Sequence, residues 1–248
     1  MRLLATTNGG LESIAADELA ELLGADASIH HRGVVEFEAD VEDVYTLHYR
    51  ARSLHRVMAV LVDAPVDELE DIYRLTTGAS VAERLPETDF GVVGTRHGTH
   101  DFTSMDVAER VGQAVIDTYR EATGTRLPVD LDDPDHELRV LFASDADGDE
   151  EIDSSDEESD ADDGDGESDA CCFLGWLAVE SRRDYGERRP TDRPFVQPGS
   201  MAPLDARALV NIAGAGPEAT VVDPMCGTGG LLLEAGLVGG DMIGVDAQ

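Results

Sequence analysis

The residues best suited to chemistry stand in Val221-Val222-Asp223-Pro224-Met225-Cys226-Gly227-Thr228-Gly229-Gly230-Leu231. The order reads as strand, glycine loop, helix. Glycines let a backbone come close to a ligand that side chains would hold off. The first turn of a helix carries unpaired N–H groups that can meet a carboxylate or a phosphate. Asp246 follows Asp223 by 23 positions, at the tip of the next expected strand. An acid at about that distance is where a ribose diol finds its hydrogen-bond partner. The spacing predicts an adenosine-containing ligand. The dinucleotide fingerprint G-x-G-x-x-G would need glycine at position 232, which holds Leu232. Asp223 also puts a carboxylate where a pyrophosphate would be repelled. A cofactor with an ammonium group, such as S-adenosylmethionine, suits that acid. The alternative without a ligand is a glycine turn in an ordinary α/β unit.

The elements that must position this loop are a strand at Thr220 to Asp223, a helix at Gly230 to Leu237 and a strand at Met242 to Val245, preceded by a helix at Leu204 to Ala213. Upstream, Arg2 to Thr6, Ala27 to His31, Val34 to Glu38 and His55 to Val62 read as strands. A helix at Leu11 to Leu23 turns Leu11, Ile14, Ala15, Leu19 and Leu22 to one face and stops at Gly24. A second, at Val41 to Ala51, offers Val44, Leu47 and Tyr49 for packing. This β-α-β-β-α-β order is the ferredoxin-like motif. From about Val66 a helix runs to Gly78, a strand covers Phe90 to Thr95, and the loop Arg96 to Ser104 leads to a helix at Met105 to Thr123, capped by Ser104. Its stripe is Val107, Val111, Val115, Ile116 and Tyr119, and Gly124 ends it. Strands at Leu138 to Ala143 and Phe173 to Val179 should pair. Between them, Ser144 to Ala170 alternates Asp, Glu, Ser and Gly with Ile152 as its one large apolar residue, so a disordered excursion is expected. Ser181 to Pro203, rich in Arg, Pro and Gly, reads as a linker. The expected division is a ferredoxin-like unit at 1–64, a second module at 65–181 with the acidic insert at 144–170, a linker at 182–203 and part of a Rossmann-like domain at 204–248.

The chain of 248 residues has 18 Lys plus Arg, all of them Arg, against 53 Asp plus Glu, for a net charge of -35. Such a surface repels itself in dilute buffer. In molar salt the Debye length falls to roughly 3 Å and the repulsion is screened, so the composition predicts a halophile's intracellular, cytoplasmic protein. With 42% hydrophobic residues it is no acidic disordered chain. Acidity ordinarily argues against a nucleic-acid partner, but concentrated salt already suppresses phosphate attraction, so charge leaves that question open. Cys171, Cys172 and Cys226 have neither disulfide nor metal-ligand spacing. No metal is expected, and no apolar run reaches the length of a membrane span.

The stretch Asp223 to Gly230 resembles the first cofactor motif of the RNA guanosine N2-methyltransferases. Arg193-Pro194-Phe195-Val196-Gln197-Pro198-Gly199-Ser200-Met201 looks like the segment preceding it in the archaeal tRNA members, and the middle module is similar to a THUMP domain. The resemblance spans the chain apart from the acidic insert. It implies a fold of α/β and α+β parts: an N-terminal ferredoxin-like domain, a THUMP domain, then the first half of a Rossmann-like S-adenosylmethionine-dependent methyltransferase domain. It further implies methylation of the exocyclic N2 of a tRNA guanosine, position ten preferred and position six the rival; a monomer is expected. Asp223, Cys226, Gly227, Gly229 and Asp246 become cofactor residues, and Ser200 a further candidate. Arg96, His100 and Ser104 become candidates for tRNA phosphate contacts, as do Arg182 and Arg183, whose other reading is linker solubility through pairing with nearby acids. The family's later Asp-Pro-Pro-Tyr-type motif does not occur in these 248 residues. No catalytic residue is therefore named, and the chain is expected to be an N-terminal portion inactive alone. The alternative is a stand-alone THUMP RNA-binding adaptor with a vestigial methyltransferase remnant.

Overall fold

The computed structural model describes residues 1–85, 88–97, 101–143, 170–182 and 184–247. The acidic insert, except Ala170, lies outside the described residues, as do His100 and Arg183.

The first six elements are β1 (Arg2–Thr6), α1 (Glu12–Leu23), β2 (Ala27–His31), β3 (Val34–Glu38), α2 (Val41–Arg50) and β4 (Arg56–Pro65). Their strands pair antiparallel in the order β2-β3-β1-β4, the expected ferredoxin-like arrangement. Gly24 ends α1 in the left-handed conformation (φ 67°), and its N–H donates to the Ala20 carbonyl. Period-2 alternation sorts the side chains. Leu3, Ala5, Val35, Phe37 and Val57 bury against Ala15, Leu19 and Leu47 of the two helices. Leu4, Val34 and Met58 turn to the opposite face. Tyr49, expected to pack, is exposed, because Leu47 is the α2 residue that reaches the core.

The next elements are α3 (Leu69–Gly78), a short α4 (Val81–Arg84) that the sequence pattern did not reveal, β5 (Phe90–His97), α5 (Ser104–Thr123), β6 (His136–Ala143) and β7 (Cys171–Glu180). β5 and β6 pair parallel across the α5 crossover, and β6 and β7 pair antiparallel as expected. Two local expectations need correction. Arg96 and His97 belong to β5, where they pair with Phe142 and Ala143, and are not loop residues. The N-cap of α5 is Thr103, one residue before Ser104. Thr103 and Asp106 form a reciprocal capping box, with Asp106 N–H donating to Thr103 Oγ1 at 3.2 Å and Thr103 N–H to Asp106 Oδ2 at 2.7 Å. Ser104 is the first helical residue instead. It sits close to β5 because position 94 is glycine: a Cβ there would lie 2.1 Å from the Ser104 carbonyl oxygen.

β7 also pairs with β4 along its length, from Arg56 opposite Glu180 to Pro65 opposite Cys171. This joins the two modules in one seven-stranded sheet, β2-β3-β1-β4-β7-β6-β5. Gly175 permits the joint, since a Cβ there would come within 2.2 Å of the Ala59 carbonyl oxygen. The helices cover one face of the sheet. On the other, Leu4, Val34 and Met58 meet Leu141 and Phe173. Cys172 points to the helical side and is fully buried, and burial pushes its thiol up to about 12. Iodoacetamide at pH 8 should therefore leave Cys172 unmodified in the native protein and label it only after denaturation, which intact-mass and peptide mapping would check.

The last elements are α6 (Pro203–Ile212), β8 (Thr220–Asp223), α7 (Gly230–Leu237) and β9 (Asp241–Gly244). β8 and β9 form a parallel pair, with Asp223 opposite Gly244. The expected linker holds two 3-10 turns, Tyr185–Arg188 and Pro190–Asp192. This part docks on the first module. Arg52 Nη1 donates to the Ala215 carbonyl at 3.0 Å, and Asn211 Nδ2 donates to Ser53 Oγ at 2.5 Å. Glu18 braces that loop from within α1, accepting the N–H groups of Arg52 and Ser53 at 2.8 and 2.9 Å. Burial raises the Glu18 carboxyl against the pull of those hydrogen bonds.

Candidate cofactor loop and cationic groove

The glycine loop is tied at both strand tips. Asp223 Oδ1 accepts the Met225 N–H at 3.0 Å, and the Val245 N–H donates to the Asp223 carbonyl at 2.9 Å. Cys226 N–H reaches the Val245 carbonyl at 3.1 Å, and Gly227 N–H reaches Asp246 Oδ2 at 2.8 Å. Gly227 and Gly229 hold positive φ, 49° and 74°, which explains the glycines there. Facing the loop is Gln197 to Met201, where Ser200 Oγ donates to the Gln197 carbonyl at 2.8 Å and lies 3.1 Å from Thr228 Oγ1. A cavity of about 190 Å³ separates the two walls.

Of the six expected cofactor residues, Asp223, Cys226, Gly227 and Ser200 line this cavity. Gly229 stands behind it as the N-cap of α7. Asp246 is exposed at the rim, one oxygen engaged by the loop. The sequence reading did not name Gln197, Met201 or Thr228 as site residues, and they also line the cavity. The Pro198-Gly199 turn beside Ser200 was the available signal.

A second concavity, of about 330 Å³, opens on the helix-free face of the sheet, between β1, β4, β5 and β6. It gathers Arg56, Arg96 and Arg139 with His55 and His97. Arg96 Nη1 donates to the Phe102 carbonyl at 3.2 Å. Arg56 pairs with Glu180 at 3.0 Å, and the nearly buried Arg139 pairs with Glu137. Burial draws Arg139 down despite that partner. Burial likewise holds His97 below the usual imidazole value, with His31 acting the same way and Glu12 against both. Arg96 thus joins a cationic cluster. Ser104 is outside the lining. Arg182 lies elsewhere, its N–H on the His48 carbonyl at 2.8 Å and its guanidinium on Asp184 at 2.8 Å. Arg56 and Arg139 were not foreseen. Arg139 inside the apolar run Leu138 to Phe142 was the legible hint, an out-of-phase charge in a strand.

Two α/β modules share one sheet and are followed by a glycine loop between parallel strands, and family comparisons match each of these parts. Residues 2–58 match the RlmL ferredoxin-like domain, 66–146 the THUMP domain and 190–247 the RMKL-like methyltransferase domain. The tRNA (guanine(6)-N2)-methyltransferase of Archaeoglobus fulgidus is 30% identical over 240 residues, 96% of this chain and 54% of that protein. The tRNA (guanine(10)-N2)-dimethyltransferase of Methanothermobacter thermautotrophicus is 49% identical over 70 residues, 28% of this chain and 21% of that protein. The crystal structure of TrmN from Thermus thermophilus superposes with a TM-score of 0.59 at 26% identity, covering 100% of this chain and 66% of that one. The chain thus contains a ferredoxin-like, a THUMP and a methyltransferase domain, and archaeal tRNA guanine-N2 methyltransferases are among its homologues. It spans about half the length of the two archaeal tRNA (guanine(6)-N2)-methyltransferases that it matches, 54% and 55%. Among the described residues no helix is long and apolar enough to cross a membrane.

Proposed function

We propose that this chain serves the transfer of a methyl group from S-adenosylmethionine to the exocyclic N2 of a tRNA guanosine. The observation that carries the reading is one chain holding both a glycine loop flanked by Asp223 and Asp246 and an arginine cluster on the open face of the two-module sheet. The loop fits the cofactor: two positive-φ glycines leave room for close approach, and the acids suit its ammonium and ribose ends. When bound, S-adenosylmethionine supplies an electrophilic methyl group on a sulfonium. The chain's own residues hold it: Asp223 takes the ammonium, the α7 N-terminus the carboxylate, Asp246 the ribose, and Ser200 with Cys226 and Gly227 encloses the methionyl end. The cationic groove holds RNA phosphates through Arg56, Arg96 and Arg139, which fixes the register of the tRNA without reading its bases. Position six stands ahead of position ten, because the match to the position-six enzyme runs across all three domains. We read the charge of -35 as suited to a cytoplasm of high salt.

Methyl transfer by the full-length protein to transcripts carrying guanosine-to-adenosine changes at position six or ten tests the reading. Loss of incorporation at neither position would refute it. For the groove, Arg96→Ala should weaken tRNA binding across sequences alike and lower the slope of log K against log[KCl] by about 0.7 to 1. An unaltered slope in filter-binding titrations would remove Arg96 from the interface.

A further inference from the structure

Glu234 is the one charged residue of α7, and its side chain is fully buried. Both carboxylate oxygens are engaged. Oε1 accepts Arg188 Nε at 2.9 Å. Oε2 accepts Arg207 Nε at 2.9 Å and Arg188 Nη2 at 3.4 Å, with Arg207 Nη2 2.6 Å away. The two arginines come from different places. Arg207 belongs to α6, which is packed through the buried Ala206 and Val210. Arg188 belongs to the 3-10 turn between β7 and α6, a segment with no buried residue in either of its turns.

That segment leads to the cavity. The Arg188 carbonyl accepts Arg193 Nε at 3.0 Å, and Arg188 Nη1 donates to the Asp184 carbonyl at 3.1 Å. The Arg193 guanidinium stands against the start of α7, where a Cβ at Gly230 would lie 3.5 Å from its Nη1. Four residues on begins Gln197 to Met201, the wall that faces the glycine loop. One direct tie to the loop is the contact of two hydroxyls, Ser200 and Thr228. A neutral, partly exposed contact of that kind is weak beside a buried, charge-assisted one. Without the Glu234 carboxylate, Arg188 and Arg207 would face each other as like charges, and Arg188 would lose its charge-assisted hydrogen bonds to α7 while keeping the Asp184 carbonyl and the Tyr185 ring of its own segment. The lightly packed segment would then loosen from α7.

We propose that Glu234 is a positioning residue for the cofactor cavity. Through Arg188 its carboxylate holds residues 193–201 as a wall against the glycine loop, and so sets cofactor affinity without touching the cofactor. The inference rests on reading the cavity as the S-adenosylmethionine site. It is tested in the full-length protein with Glu234→Gln and with Arg188→Gln, which keeps the Glu234–Arg207 pair and so remains usable where Glu234→Gln does not fold. Melting curves come first, to choose a temperature at which each variant is folded. Hydrogen exchange should then be about tenfold faster or more across 185–201, including the Arg193 and Ser200 amides, and unchanged in the seven-stranded sheet, the mark of local release. Titration with S-adenosylhomocysteine should show affinity lower by about tenfold or more, and tRNA affinity within about twofold of the parent protein, as for distant sites. Wild-type exchange across 185–201 together with wild-type affinity in a folded Arg188→Gln protein would overturn the proposal. If the parent protein itself fails to bind S-adenosylhomocysteine, the functional reading falls, and the exchange rates alone decide whether Glu234 holds the segment.

Discussion

Replacing Asp246 by alanine is expected to weaken S-adenosylmethionine binding roughly tenfold to a hundredfold, the loss of a charge-assisted hydrogen bond worth about 1.5 to 3 kcal/mol. Two effects act in the same direction. On the proposed reading, the carboxylate at the tip beyond β9 would accept the ribose diol. It also accepts the Gly227 N–H at 2.8 Å, so it shapes the loop that the cofactor must fit. Asp246→Asn separates them: the amide oxygen still accepts from Gly227 while the charge is gone. A loss in the asparagine variant close to that of alanine would assign the effect to the ribose, and a near-parental affinity would assign it to loop shape. Calorimetry in molar KCl, which screens the charge of -35, reads both. NAD should give no heat in the same cell, because Leu232 takes the place of the third glycine. Tight NAD binding, or parental affinity in the alanine variant, would defeat the assignment of the loop.

What the sequence disclosed and what it hid divide along a physical line. Features written in local periodicity and turn chemistry were legible: the Gly24 stop of α1, the strands β2 and β3, the stripe of α5, and α7 from Gly230 to Leu237. The glycine loop was legible because positive φ leaves few residue choices. Features that depend on a distant partner were not. An acid in a helix reads as solvent-facing, so nothing marked Glu18 and Glu234 as buried, for their partners stand 34 and 46 positions away at Arg52 and Arg188. The cationic groove draws on four strands, and of its three arginines only Arg96 lay inside a segment that drew attention. Tyr49 had the right apolar character for a core, but the rotation of α2 is set by Leu47, and the tyrosine was left outside.

The joint between β4 and β7 was the largest omission, and it supports the remaining prediction. Strand pairing between residues more than a hundred positions apart leaves no local mark beyond alternation, and both strands had that already. The alternation does say what the joint must bury. Phe173 is fully buried on the helix-free face, among Leu4, Val34, Met58 and Leu141, three from the ferredoxin-like strands and one from β6. Its ring meets His30 edge-on at 4.9 Å. A cavity there removes contacts from both modules at once, so Phe173→Ala should cost about 3 to 5 kcal/mol. For a chain of this length each kcal/mol shifts the midpoint by about 2 to 4 °C, so the melting temperature should fall by roughly 6 to 20 °C. Because one sheet runs through both modules, unfolding should remain a single transition by tryptophan fluorescence, which reports Trp176 on β7, and by far-ultraviolet circular dichroism, which reports every element. Separate midpoints in the variant, with the Trp176 signal moving and the helical signal of α1 and α2 staying, would show that the modules fold independently and that the β4–β7 pairing is an edge contact between two complete domains.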